Sequence, residues 1–74
     1  MSLAGVPLDT VFRVAGVRSG NPLSIRLMEM GLVEGAPVQV LRRAPLGDPL
    51  HVRLGDYELS LRASEAELVD VSPY

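Results

Sequence analysis

Between Leu50 and Leu61 the chain reads LHVRLGDYELSL, two alternating runs that mirror each other about Gly55-Asp56. An antiparallel hairpin uses that symmetry in full. With glycine first in a type II′ turn, Leu54 faces Tyr57, Val52 faces Leu59 and Leu50 faces Leu61. These pairs are all apolar and share one face. The intervening pairs, Arg53 with Glu58 and His51 with Ser60, share the other, so one face is core and the other is wet and carries a cross-strand ion pair. A chain with this hairpin is committed to a sheet, and its remaining segments must cover the apolar face, which includes Tyr57.

Upstream, Thr10–Val17 is rich in β-branched and aromatic residues and runs into the turn cluster Ser19-Gly20-Asn21-Pro22, so it reads as a first strand. A helix starts there. Asn21 can accept an orphan amide as N-cap, Pro22 fits the first helical position, and Gly31 supplies the left-handed residue that closes the helix. On a helical wheel Leu23, Leu27 and Met30 share a face, while Ile25 and Met28 fall outside it. Pro37–Arg43 reads as a second strand and Ala44–Pro49 as a stiff loop with prolines bracketing a glycine. Arg62–Glu67 reads as a short helical turn capped by Ser64, before a last strand at Leu68–Val71. The expected fold is mainly β: residues 1–74 form one domain, a small five-stranded barrel, closed or partly open, with one short helix inserted after the first strand.

Composition narrows the function. Apolar residues make up 47% of the chain and charged residues 22%, a globular balance. Nine acidic residues outnumber seven basic ones, all arginine, so affinity from released phosphate counterions is not expected and nucleic acid is excluded as a primary partner. No apolar run approaches about 18 residues, and Met1–Gly5 has no basic export signal, so the reading is a cytoplasmic protein with no membrane insertion. No cysteine is present to form a disulfide or thiolate metal site. Catalysis has no foothold either, because the one histidine, His51, lies on a solvent-facing strand position without an orienting third group. Glu29, Glu34, Glu65 and Glu67 are scattered over helix surfaces and turns, and the glycines lack the Gly-Lys-Ser/Thr of a phosphate loop. The chain is read as a binding protein, not an enzyme, with no required cofactor.

Two kinds of site remain. His51 with Asp48 and Glu58, or Asp56, could hold a weakly bound divalent ion such as Fe2+ or Zn2+, although tight binding wants more imidazole or thiolate than one histidine supplies. The other candidate is a protein interface. Ile25 and Met28, flanked by Arg26 and Glu29, either form an exposed apolar patch or pack on a second side of the barrel. Pro45 and Gly47 of the stiff loop are further contacts, with Arg42, Arg43 and Arg62 as steering charge.

The run LMEMGLVEGAPV at residues 27–38, the loop APLGDP at 44–49 and the closing segment LRASEAELVDV at 61–71 resemble, in order, the FeoA family. Met30 stands where that family usually has leucine, and Glu34-Gly35 replaces its common Pro-Gly; volume and the turn glycine are kept. The resemblance implies an SH3-like barrel acting in bacterial ferrous iron uptake by binding FeoB, the membrane iron transporter. The alternatives are a weak transition-metal-binding accessory domain and a self-associating structural barrel or homodimer.

Overall fold

A computed structural model describes residues 1–18 and 20–74; Ser19, which the sequence places in the first turn, lies outside the described residues. The strands are β1 (Val11–Val17), β2 (Pro37–Arg43), β3 (Leu50–Leu54), β4 (Tyr57–Leu61) and β5 (Val69–Pro73), with helices α1 (Pro22–Glu29) and α2 (Ala63–Ala66) and a 3₁₀ turn at Leu3–Gly5. They form one antiparallel sheet in the order β4-β3-β2-β1-β5. The hairpin has the expected register throughout, from Leu54 opposite Tyr57 to Leu50 opposite Leu61. Gly55 has φ +63° and Asp56 is not left-handed, as a type II′ turn requires.

Register shifts at Val14/Gly16 and at Val40/Arg42 mark bulges, which increase twist and curl the sheet around its apolar face. Within the curl lie Val14, Val40, Val52 and Leu61, all fully buried, and Leu27 of α1 joins the same core. β4 and β5 do not pair with each other, so the barrel is partly open. Gly31 has φ +107°, and a Cβ there would stand 3.1 Å from Leu54 Cδ2. The left-handed turn that ends α1 thus also brings the chain hard against β3.

The N-terminal segment has a structural role that composition did not reveal. Leu3 and Val6 are buried in the core, and Arg43 donates to the carbonyls of Ala4 (3.2 Å) and Val6 (2.8 Å). Arg43 is therefore occupied as a clamp, which corrects its reading as steering charge. Ser2 bridges to Asp70, and Val71 N donates to Met1 O at 2.7 Å, so this segment covers the outer edge of β5.

Three local expectations need correction. Ser64 is not the cap of α2 but sits inside its first turn; the cap position belongs to Arg62, whose N–H donates to Glu65 Oε1 at 2.8 Å. The last strand starts at Val69 and runs to Pro73. Tyr57 is on the core side but at the sheet's rim, 47% exposed, where its hydroxyl donates to the Met30 carbonyl and ties the hairpin to the end of α1.

Candidate functional site: a helix face and the adjoining loop

Helix α1 begins as its sequence requires: Asn21 Oδ1 accepts from Leu23 N at 2.9 Å and Pro22 takes the first turn. Two side chains fix its rotation. Leu27 is fully buried, and the buried Ser24 hydroxyl donates to Arg18 O at 2.5 Å. With that side held down, Ile25 and Met28 turn outward and remain 60% and 43% exposed. The reading in which both pack on a second side of the barrel is overturned, because Leu27 and Ser24 take the buried side of the helix and leave these two exposed. With Gly20, Asn21 and Pro22 they line a shallow, mostly apolar groove of about 530 Å3.

The loop Ala44–Pro49 is closed by Ala44 N to Pro49 O (3.0 Å) and Gly47 N to Ala44 O (2.7 Å), and Asp48–Pro49 is cis. Pro45 is exposed at its tip and Gly47 partly so. Leu46 between them is 97% exposed, an interface candidate the sequence reading missed. An apolar residue inside a Pro/Gly-rich turn was the available signal.

Asp48 Oδ1 accepts from Ala63 N at 3.0 Å and so caps α2 from 15 residues upstream. Two depressions flank Pro49 and Ser60: one of about 490 Å3 lined by Arg26, Asp48, Arg62 and Glu65, and one of about 280 Å3 lined by Arg42, Pro45 and His51. The structure thus divides the named residues. Pro45 and Arg42 share one depression, Arg62 lies in the other beside Arg26 of α1, and Ile25 and Met28 lie in the separate groove.

Of the metal candidates, His51 and Glu58 meet, with Nε2 2.5 Å from Oε1, while Glu58 Oε2 accepts from Arg53 at 3.0 Å. Asp48 is engaged at α2 instead. Among the described residues no group of three or more His, Asp or Glu side chains is placed to hold a metal ion.

The His51 hydrogen bond, and secondarily that from Arg53, holds the Glu58 carboxyl below the ordinary value of 4.5. Because the folded-state value is the lower one, the associated stability is present above the unfolded value and is lost as pH falls through the folded one. Carboxyl NMR titration should place the Glu58 midpoint below 4.5. His51→Ala should raise it more than Arg53→Ala, and equal midpoints in all three proteins would contradict the assignment.

A curled five-stranded antiparallel sheet with short loops and one helix inserted after the first strand is the architecture of a small SH3-like barrel domain. Residues 1–73 match the family described as the FeoA domain, so the chain belongs to the FeoA family. Over 46 residues, 62% of the chain, it is 44% identical to the Fe(2+) transport protein A/Fe(2+) transporter FeoB fusion protein of Porphyromonas gingivalis; that match covers 6% of the fusion protein's length. It superposes on the FeoA of Stenotrophomonas maltophilia with TM-score 0.86 at 36% identity, covering 97% of this chain and 89% of that one. That protein was solved in complex with zinc and is described as a prokaryotic SH3 domain protein and a candidate ferrous iron transport activating factor. The iron(II) transport protein A of Clostridium thermocellum gives TM-score 0.90 at 30% identity, covering 99% of this chain and 45% of that one.

Proposed function

We propose that this protein is a cytoplasmic accessory factor of bacterial ferrous iron uptake that acts by binding an FeoB-type transporter and does no chemistry itself. The observation that carries this reading is the fusion in which a relative's A-type sequence and a FeoB transporter occupy one chain. Covalent linkage serves partners that work side by side, because it replaces encounter by a high effective concentration. The α1 groove and the Ala44–Pro49 loop, linked by the depression that Arg26 shares with Asp48 and Pro49, form the proposed docking face, and Arg42 and Arg62 supply steering charge toward an acidic partner surface. Regulation follows if one conformational state of the transporter is bound more tightly than another.

Capture of the same organism's detergent-solubilised FeoB on immobilised protein, with and without guanine nucleotide, tests this. Nucleotide-dependent capture supports a regulatory adaptor; no capture in any nucleotide state removes the proposal.

The zinc found with the Stenotrophomonas maltophilia protein favours a second reading, weak divalent-metal binding, for which the His51–Glu58 pair is the nucleus here. A calorimetric titration with zinc, abolished by His51→Ala, would move weight to it.

A further inference from the structure

The depression of about 490 Å3 lies where several elements meet: Arg26 comes from α1, Asp48 and Pro49 from the loop, Ser60 from β4, and Arg62 and Glu65 from the start of α2. Its acids are already in use. Asp48 Oδ1 accepts from Ala63 N at 3.0 Å and Glu65 Oε1 from Arg62 N at 2.8 Å, so each spends an oxygen on a main-chain N–H. Its bases are not. Among the described residues neither guanidinium is in an ion pair, whereas Arg18 and Arg53 are paired with carboxylates and Arg43 is held on carbonyls. With five N–H donors on each guanidinium and the Ser60 hydroxyl beside them, the lining has more to donate than to accept. What fits it is an acceptor.

Charge balance selects among acceptors. Arg26 and Arg62 against Asp48 and Glu65 leave the lining neutral, so it has no field with which to gather a free dianion such as phosphate from solution. A single carboxylate carried by a segment anchored nearby needs no such field, and the planar guanidinium fork matches it bidentately. The anchor is adjacent. Arg26 follows Ile25 on α1, and Ile25 with Met28 lines the apolar groove.

We infer that Arg26 and Arg62 together seat one Asp or Glu side chain of the partner protein, whose neighbouring apolar side chain fills the α1 groove. The inference rests on the docking-face reading and adds to it the chemistry of the docked segment, acidic beside apolar. It also separates the arginines by role. Arg42 lines the other depression with His51 and acts at long range, while Arg26 and Arg62 touch the bound carboxylate. Steering changes the association rate; a seated charge pair changes the dissociation rate.

Biolayer interferometry of solubilised FeoB on immobilised protein, in each nucleotide state and at low and high salt, reads both rates. Arg26→Ala and Arg62→Ala should each raise the dissociation rate about tenfold, the usual effect of losing a hydrogen bond to a charged group. Arg26→Lys and Arg62→Lys should raise it too, since lysine keeps the charge and lacks the fork. Arg42→Ala should slow association at low salt only. All three side chains are exposed, and a thermal melt of each variant checks its fold. Binding that Met28→Glu abolishes but every Arg26 and Arg62 variant leaves unchanged overturns the carboxylate seat and keeps the docking face, and lysine variants that dissociate like the parent overturn it as well. No binding by the parent protein in any state removes the docking face and the seat with it.

Discussion

Replacing Leu3 by alanine should cost about 2–5 kcal/mol, the usual range for emptying a fully buried leucine site, and bring the domain close to unfolding. Leu3 has no exposed surface, although it lies two residues from Met1. For 74 residues, ordinary stability of ~0.05–0.15 kcal/mol per residue amounts to roughly 4–11 kcal/mol in total. One side chain therefore carries a large share. At about 4–8 °C per kcal/mol for a domain of this size, the midpoint should fall by tens of degrees in a thermal melt followed by circular dichroism. Leu3→Met, which nearly conserves volume, should cost less than about 1.5 kcal/mol. A Leu3→Ala midpoint within a few degrees of the parent would show that the N-terminal turn is not part of the cooperative core.

The second large effect is expected at the opposite end of the burial scale. Met28→Glu puts a charge at a position 43% exposed, where the folded chain can solvate it, so stability should change by no more than about 0.5 kcal/mol. If the groove beside it is the transporter-binding face, the same charge is buried without a partner in the complex. A loss of at least ~2 kcal/mol, some 30-fold in affinity, is then expected. Ile25→Glu should act similarly and Met28→Leu should not. Binding measured against solubilised FeoB, beside a melt for each variant, separates docking from folding. Unchanged affinity in a folded Met28→Glu protein would take α1 out of the interface and leave the loop to carry it.

What was legible in the sequence was what local chemistry decides. The hairpin was readable because a two-residue turn and period-two alternation fix every cross-strand pair from Leu50 to Leu61. Helix α1 was readable because Asn21, Pro22 and Gly31 are end signals in their own right. The failures are tertiary. Nothing around Leu3 marks it as core, since a short apolar segment with no periodicity acquires burial only when the curled sheet supplies a place for it. Ser64 looked like a cap by residue type, but the job is done by Glu65 and by Asp48, which no local rule connects to α2. The exposure of Ile25 and Met28 was readable as a remainder on the helical wheel, but it is settled only when Leu27 and Ser24 take the buried side of the helix. Of the metal candidates, cross-strand register brings His51 to Glu58; Asp48 had a competing partner that only the folded chain reveals.

The bond from Ala63 N to Asp48 Oδ1 also makes the loop's behaviour observable at a distance. As the first residue of α2, Ala63 has an amide with no acceptor inside its own helix, so while the bond to Asp48 holds it is shielded from solvent hydrogen, and when the loop lifts it is not. Its deuterium exchange rate therefore counts loop openings one amide at a time. A partner that grips Ala44–Pro49 should slow that exchange, whereas one that seats only on Ile25 and Met28 should leave it unchanged.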